Sequence, residues 1–279
     1  MSAVPPRITA LLFTPGNRPD RFPKAAVSGA DGIIVDWEDA VAAGDKDATR
    51  RMVLDWLAKN GRLAAAPFLT GIRINDLRSA AGLADLEALP TGPVVDFVML
   101  PKVQSPAEVQ QAAESLPAAT SLIALVETVR GIRAVHEIAA ASPRLLALGF
   151  GGLDLSAETG GEPVWDALLW PRTQLVHACA AAGIAALDQP FIDYRDGPGL
   201  ASECARVRSL GFAGKLAIHP GQCAAIVAAF QPSVEEASLA RRIVAAADEA
   251  RGGVVALDGR MIDAPLVHSA RRTLQRIRS

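Results

Sequence analysis

The chain has 279 residues, half of them hydrophobic, and can bury a large core as one α/β barrel or as two smaller domains. A formal net charge of -2 at pH 7 provides no basic surface for nucleic acid or an anionic membrane. The apolar stretches are shorter than a membrane span and the N-terminus lacks the regions of a signal peptide. We therefore expect a cytoplasmic protein whose partners are small molecules or other protein chains.

Short aliphatic runs recur along the chain and predict eight strands. They lie at about 8–14, 32–36, 70–74, 95–100, 121–126, 144–149, 184–187 and 215–218. Most are separated by helical patterns, and the segments Ser105–Glu108 and Ser233–Glu236 have the form of capping boxes, the first with proline at the first helical position. This alternation favours a closed (β/α)8 TIM barrel, with an open doubly wound sheet as the alternative. The glycines of "GFGGLD" at 149–154 do not match the dinucleotide fingerprint, so no NAD site is predicted.

Two more helical patterns, at 233–251 and 264–278, follow the eighth unit. We predict a barrel domain over residues 1–232 and a C-terminal helical extension over 233–279. The extension is expected to act as a lid and to contribute to oligomer contacts.

Polar residues follow every predicted strand. In chain order they are Pro15 to Arg18, then Asp36, Glu38 and Asp39, then Arg73 and Asn75, then Lys102, Glu127, Asp154, Asp188 and His219. Barrel enzymes build their sites from the loops at the carboxyl ends of the strands. All of these residues are therefore expected around one mouth.

Glu127 and Asp154 are the candidate metal ligands. Taken singly, Glu127 fits a buried acid paired with Arg73 or Arg130, and Asp154 fits a helix-capping residue. Three cysteines without CxxC spacing and four histidines without HxxH spacing argue against zinc, so oxygen ligands for Mg²⁺, or for Mn²⁺, are favoured.

Glu38 and Asp39 would then orient metal-bound waters, although acids at a helix N-terminus are the alternative explanation. Arg73 faces inward if its strand alternates normally, and its guanidinium suits a bidentate grip on a substrate carboxylate. Its alternative role is an ion pair with Glu127.

Three further residues complete the candidate site. Arg18 and Lys102 are candidate substrate-binding residues at the mouth. Neighbouring acids should raise the pKa of Lys102, which opposes Schiff-base chemistry and favours an electrostatic or structural role. His219 is expected to be a packed, hydrogen-bonded structural residue.

Ordered motifs across nearly the whole chain resemble those of the HpcH/HpaI aldolase/citrate lyase superfamily, specifically its citrate lyase β-subunit-like branch. The matching segments are "LLFTPGNRPDRFPKAAVSGADGIIVDWEDAV", "RIN", "MLPKV", "LVETVRGI", "GFGGLDLSAETG", "GFAGKLAIHPGQ" and "LDGRMIDAP". One departure is Trp37, which stands where leucine is more usual and is expected to change packing or pocket shape while leaving the acids intact.

The resemblance implies that Glu127 and Asp154 ligate Mg²⁺, that Glu38 and Asp39 support its waters, and that Arg73 binds the substrate carboxylate. It also implies a homo-oligomer, a trimer or hexamer.

Asp263 indicates which kind of enzyme within the citrate lyase β-subunit-like branch the chain resembles. It matches an aspartate that, in relatives acting on malyl-CoA or citramalyl-CoA, the neighbouring subunit supplies as catalytic acid/base. Its presence favours a self-sufficient CoA-thioester enzyme, although Asp258 and Asp263 also fit ordinary loop positions.

The implied reaction is a retro-Claisen cleavage, or the reverse condensation, of a 3-hydroxyacyl-CoA such as malyl-, citramalyl- or citryl-CoA, with acyl-CoA and a 2-oxo acid as products. The sequence does not identify the acyl group. The alternatives are an aldolase acting on a free hydroxy-keto acid, a thioester hydrolase, and a β subunit that works with an acyl carrier protein in a citrate lyase complex.

Overall fold

Eight parallel strands close into a barrel in the computed structural model, which describes residues 8–61, 63, 67–89, 95–249 and 255–277. The strands are β1 Ala10–Pro15, β2 Gly32–Asp36, β3 Leu69–Arg73, β4 Phe97–Leu100, β5 Ser121–Val126, β6 Leu145–Phe150, β7 Ala185–Asp188 and β8 Gly214–Ala217. Each pairs with the next, and β8 pairs with β1 to close the ring. The predicted TIM barrel is confirmed, and the alternative of an open sheet is wrong.

Helices follow the strands and surround the barrel. They are α1 Phe22–Ala26, α2 Lys46–Asn60, α3 Ala80–Ala88, α4 Pro106–Ser115, α5 Val129–Arg133, α6 Val135–Ala139, α7 Gly152–Thr159, α8 Trp165–Ala182, α9 Gly197–Leu210 and α10 Pro220–Phe230, with short 3-10 turns at Pro19–Arg21 and Ala43–Asp45. No helix in the described ranges combines the length and the apolar character needed to cross a bilayer.

Of the two predicted capping boxes, one forms in full. Ser233 N donates to Glu236 Oε2 at 2.8 Å and Glu236 N donates to Ser233 Oγ at 3.1 Å. At the start of α4 the proline takes its predicted place, but Glu108 Oε2 accepts from Gln104 N, one residue earlier than expected, and Ser105 does not cap the helix.

The barrel interior is filled by alternate residues of the strands, because side chains of a strand point to opposite faces in turn. Its core comprises Leu11, Ile34, Leu69, Phe97, Met99, Ile123, Leu125, Ala147, Leu187 and Leu216. The residue two positions later on the same face of a strand also points inward. Ile34, Gly71 and Leu125 are followed in this way by Asp36, Arg73 and Glu127. Asp36 also lies in register with Arg73. The alternation that packs the core thus also directs these charges into the mouth.

Asp188 lies on the outward face of its strand, unlike Asp36 and Arg73, so its predicted place at the mouth is wrong. Since Leu187 points into the barrel, Asp188 points outward to the helices, where Arg172 Nε donates to its Oδ1 at 2.8 Å and Lys215 Nζ to its Oδ2 at 2.5 Å. All three side chains are almost completely buried. Asp188 therefore belongs to a structural ion cluster.

The chain divides into two compact units, Met1–Val227 and Ala228–Ser279. The second contains α11 Val234–Glu249, an antiparallel hairpin of β9 Val255–Leu257 and β10 Arg260–Ile262, and α12 Ala264–Gln275. The sequence had indicated only a connection where the hairpin lies. Its turn residues Asp258 and Gly259 have φ of 52° and 75°, the left-handed conformations of a tight hairpin turn. The domain boundary after residue 232 and the lid role remain predictions.

Candidate active site

A cavity of about 390 Å³ opens at the carboxyl ends of the barrel strands. Apolar side chains form much of its wall, among them Phe13, Leu125, Phe150 and Leu216. Five charged residues from four strand ends also line it: Asp36, Asp39, Arg73, Glu127 and Asp154. The barrel thus brings together both predicted metal ligands and the predicted substrate-binding arginine.

Glu127 is deeply buried in this cavity, with 4% of its surface exposed, the same fraction as Asp36. Its Oε1 accepts a hydrogen bond from Lys102 N at 2.8 Å. Burial, together with the negative charges of Asp154 and Glu38, raises the pKa of Glu127 to about 8. A bound cation would favour the ionised form and reverse this shift, so the site is electrostatically suited to a cation.

Gly151, between β6 and α7, allows Glu127 to approach the loop that carries Asp154. A Cβ on Gly151 would lie 2.4 Å from Glu127 Cβ and 2.5 Å from its Oε2, so no other residue fits there without displacement. Asp154 lies exposed in the first turn of α7, where Gly151 holds the N-cap position without a side-chain cap. The alternative role of Asp154 as a capping residue is therefore not supported.

Two carboxylates facing one cavity are a sparse set of metal ligands. The described ranges contain no group of three or more His, Cys, Asp or Glu side chains arranged to hold a metal ion. Mg²⁺ commonly binds through one or two carboxylates and keeps several waters, whereas structural zinc requires a closed set of four ligands. The oxygen donors and the cradle at Gly151 fit Mg²⁺ or Mn²⁺.

Arg73 faces inward, as predicted, and is held by three acids. Its Nε and Nη2 donate to the two carboxylate oxygens of Asp36 at 2.8 and 2.7 Å. Nη1 lies 2.9 Å from Glu38 Oε2 and Nη2 lies 3.2 Å from Asp39 Oδ2. These neighbours raise the pKa of Arg73 although burial opposes them. The bidentate partner is thus Asp36, not Glu127 as the alternative interpretation proposed.

Lys102 connects the loops after β2 and β5. Its Nζ donates to Glu38 Oε1, and its backbone N–H binds Glu127. Burial lowers the pKa of Lys102, but the hydrogen bond to Glu38 and the nearby acidic charges outweigh that effect and raise it. This agrees with the expectation that the amine is not activated for a Schiff base. The residue has a φ of 52°, a strained conformation that is typical of functional sites.

Glu38 lies between the two cations. Burial raises its pKa, and the charges of Arg73 and Lys102 oppose that shift. Its Oε2 is buried and, despite the short distance to Arg73, makes no hydrogen bond within the described residues. Glu38 is thus held between Arg73 and Lys102, and its Oε2 faces Arg73 away from solvent.

The sequence did not indicate what lies beneath the acidic loop, defined here as Trp37, Glu38 and Asp39. Lys46 Nζ donates to the carbonyl oxygens of Trp37 and Glu38 at 3.1 and 3.0 Å. Nothing near Lys46 in the sequence signals this contact. Asp85, which supports it through Asn75, is one of two acids in the otherwise uncharged α3 segment, the other being Glu87, so the sequence does not single it out.

Trp37 itself packs away from the cavity and is almost fully buried. Gly16 approaches it closely: a Cβ there would lie 2.7 Å from Asp36 O and 2.9 Å from Trp37 Cδ1. Trp37 therefore packs behind the site, and the effect of its departure from leucine stays a prediction.

The cavity wall does not include Glu38 or Lys102, nor two other candidates, Arg18 and His219. Arg18 is exposed and forms a bidentate ion pair with Asp20, both contacts at 2.9 Å. Its substrate-binding role remains a prediction. His219 is hydrogen-bonded as expected, since its Nδ1 accepts from Gly221 N, and it packs against Tyr194 with ring centroids 4.6 Å apart, although it is exposed.

In the second unit, Asp263 is the N-cap of α12, and its Oδ1 accepts from Leu266 N at 3.1 Å. Asp258 pairs with Arg242 at 2.6 Å. Both therefore have local structural roles, and the catalytic role of Asp263 remains a prediction.

The raised pKa of Glu127 predicts a pH-dependent stability in the absence of metal. Between its ordinary pKa of 4.5 and about 8, the unfolded chain releases a proton that the folded chain retains. The free energy of unfolding should therefore fall as the pH rises through this range. Thermal unfolding in EDTA should show that Glu127→Gln gains stability relative to the parent chain as the pH rises. A stability difference between Glu127→Gln and the parent chain that does not depend on pH would contradict the raised pKa of Glu127.

The fold and cavity define an enzyme of the TIM-barrel class with an acidic site at the carboxyl ends of its strands. The sequence profile of the HpcH/HpaI aldolase/citrate lyase family matches residues 9–220, and the chain belongs to this family. The predicted family and the prediction of a lyase-family enzyme are thereby confirmed.

Similar proteins agree with this placement. The citrate lyase subunit beta-like protein of Mycobacterium tuberculosis is 37% identical over 272 residues, which cover 95% of this chain and 94% of that protein. The L-malyl-CoA/beta-methylmalyl-CoA lyase of Cereibacter sphaeroides is 35% identical over 292 residues, covering 93% and 91%. The structure of CitE from M. tuberculosis in complex with magnesium, acetoacetate and coenzyme A is similar with a TM-score of 0.81 at 35% identity, covering 97% of this chain and 98% of that one.

Proposed function

We propose that the chain is a Mg²⁺-dependent carbon–carbon lyase that cleaves or forms a 3-hydroxyacyl-CoA thioester of the malyl, citramalyl or citryl type. The products of cleavage are an acyl-CoA and a 2-oxo acid. The observation that carries the proposal is the buried Glu127, which shares a cavity with Asp154 and has a pKa raised to about 8 without a cation. Mn²⁺ is an alternative ion for the same donors.

The charges of the site support a cation. Five carboxyl groups, those of Asp36, Glu38, Asp39, Glu127 and Asp154, stand against the cationic groups of Arg73 and Lys102. An ion held by Glu127 and Asp154 would offset part of this excess negative charge.

The relatives support the substrate class. The M. tuberculosis structure contains magnesium, acetoacetate and coenzyme A, and the C. sphaeroides relative is named for malyl-CoA and β-methylmalyl-CoA. A metal, a small keto acid and CoA are the components that the proposed reaction requires.

Mg²⁺ held by Glu127 and Asp154 would supply Lewis-acid polarisation of the substrate oxygens. Glu38 and Asp39 are oriented by Arg73 and Lys102 and would accept hydrogen bonds from waters of the ion.

Arg73 would bind the substrate carboxylate while Asp36 keeps its guanidinium in place. Asp36 takes the donors on one edge of the guanidinium, and Asp39, with 62% of its side chain exposed, is the partner most easily replaced. We expect the substrate carboxylate to replace Asp39 and keep the bidentate contact to Asp36.

Asp263 from a neighbouring subunit would act as the acid/base. It would take the proton of the substrate hydroxyl. The carbon that bears this hydroxyl becomes the carbonyl carbon of the 2-oxo acid. The electron pair of the broken carbon–carbon bond would pass to the α-carbon of the thioester, which is then protonated to give acyl-CoA. This role requires a homo-oligomer, and we propose a trimer or a hexamer built from trimers.

One alternative has a specific observation in its favour. The M. tuberculosis relative is named as a citrate lyase subunit beta-like protein. The name supports the alternative that this chain is a β subunit that acts on thioesters of an acyl carrier protein. That alternative predicts no turnover of CoA thioesters by the isolated chain. Free hydroxy-keto acid aldolase and thioester hydrolase activity are the remaining alternatives.

Equilibrium binding tests the proposal without depending on turnover. In calorimetry, oxaloacetate or pyruvate should bind only when Mg²⁺ is present, and CoA should bind to the same preparation. Glu158→Gln, on the same helix as Asp154 but outside the cavity, serves as the control and should bind like the parent chain. Binding of the oxo acid that persists unchanged in EDTA would contradict the metal assignment, and failure to bind CoA would favour the free-acid aldolase.

A further inference from the structure

We propose that Lys46, with Asn75 and Asp85, is a positioning residue that holds the acidic loop Trp37–Asp39 in the geometry required for metal and substrate binding. The inference rests on the proposed function, because it concerns the same site. None of the three residues lines the cavity, so each would act through the loop.

The acidic loop needs support from beneath. Asp36, Glu38 and Asp39 place three like charges within four residues, and Asp39 is largely exposed. Arg73 and Lys102 offset these charges at the level of the side chains. The loop lies between β2 and the next helical turn. Two of its N–H groups are already bound, since Trp37 N donates to Arg73 O and Glu38 N to Asp36 Oδ1, both at 2.9 Å, whereas its carbonyl oxygens take part in neither a strand ladder nor a helix.

Lys46, the first residue of α2, supplies that support. Its ammonium group has three hydrogen-bond donors, and it contacts Trp37 O, Glu38 O and Asn75 Oδ1. All three acceptors are uncharged. The cation therefore fixes the loop through two consecutive backbone carbonyls, and no carboxylate among the described residues pairs with it.

Asn75 sets the direction of this contact. Its Nδ2 donates to Asp85 Oδ2 at 2.5 Å and to Trp37 O at 3.2 Å. Its backbone N also donates to Asp85 Oδ2, at 2.7 Å. These donors fix the amide so that its oxygen faces Lys46, and Trp37 O is then held from both sides.

Asp85 anchors the network in the protein interior. It is 1% exposed, and Arg50 Nε and Nη2 donate to its Oδ1 at 2.8 and 2.6 Å. A buried carboxylate is stable only when it is paired and hydrogen-bonded in this way. The loop is thus connected through Lys46 and Asn75 to an ion pair between α2 and α3.

Lys46→Met tests the proposal, because methionine keeps much of the apolar stem and removes all three donors. We expect the dissociation constant for Mg²⁺, measured by calorimetry, to rise about 10- to 100-fold, the range found when groups that orient metal ligands are removed. The matched control is Asp47→Asn. It removes the exposed partner of the same Arg50 without touching Asn75, and should change the constant less than about twofold.

A double-mutant cycle separates positioning from a general structural effect. In a background of Glu38→Gln with Asp39→Asn, Lys46→Met should weaken Mg²⁺ binding no further, because the groups it positions are already removed. An equal loss in both backgrounds would overturn the proposal. Asp85→Asn perturbs the network from its other end and should also raise the dissociation constant for Mg²⁺. This second variant keeps the test decisive if Lys46→Met folds poorly.

The outcomes also separate this proposal from the proposed function. Mg²⁺ binding by the parent chain that is unaffected by Lys46→Met would overturn the positioning role alone. Absence of Mg²⁺ binding by the parent chain would overturn the proposed function and this inference with it.

Discussion

Glu127→Gln is expected to lower Mg²⁺-dependent thioester cleavage by more than about 100-fold, the upper end of the loss caused by outer-sphere changes. Glutamine keeps the shape of the side chain, and its amide oxygen can still accept from Lys102 N. It removes the negative charge that would bind the cation, so the loss should come from the metal site. Mg²⁺ titration of activity, with circular dichroism as a check on the fold, measures the effect.

Asp154→Asn should reduce activity in the same way, since it removes the second predicted ligand. Glu158→Gln changes an acid one turn later on α7 and is expected to leave activity nearly unchanged. Unchanged activity in both Glu127→Gln and Asp154→Asn would contradict the assignment of the metal site.

Asp263→Ala is expected to lower kcat by about 100- to 10,000-fold, the usual contribution of a positioned acid or base, with little change in KM. Alanine also removes the N-cap of α12, which costs about 1 kcal/mol of helix stability. Asparagine caps a helix nearly as well as aspartate but cannot take a proton. Asp263→Asn should therefore lose kcat to a similar extent while α12 remains capped, and thermal unfolding separates the two effects.

Mixing inactive chains tests whether Asp263 acts on a neighbouring subunit. Chains with Glu127→Gln retain Asp263, and chains with Asp263→Ala retain the metal site. If the acid/base comes from a neighbour, mixed oligomers contain complete sites and recover part of the activity. No recovery, in oligomers shown to have exchanged subunits, would place Asp263 in the site of its own chain or outside catalysis.

The barrel could be predicted from the sequence because its strands are short, apolar and regularly spaced. The strand runs at 32–36 and 121–126 match β2 and β5 to the residue, and the other six agree within two residues at each end. The inward direction of Arg73 also followed from strand alternation. Asp188 shows the limit of that argument: it ends a strand, as Glu127 nearly does, but lies on the outward parity and binds Arg172 and Lys215.

The contacts within the site were less predictable, because they depend on the register between elements distant in sequence. Asp36 and Arg73 are paired by the alignment of β2 with β3, which no local pattern encodes. The support of the acidic loop by Lys46 and Asp85 similarly depends on how α2 and α3 pack. The hairpin before α12 was missed although its Asp258-Gly259 turn is a recognised signal, because the strands on either side have only three residues each.

The most direct test of the proposed lyase activity is 2-oxo acid release by the purified chain from malyl-, citramalyl- and citryl-CoA, each with Mg²⁺ and with EDTA. We expect release from at least one of these thioesters, dependent on the metal and accompanied by an equal amount of acyl-CoA. No release from any of the three by a preparation that binds Mg²⁺ would contradict the lyase assignment, and would favour a free-acid aldolase or a subunit that requires an acyl carrier protein.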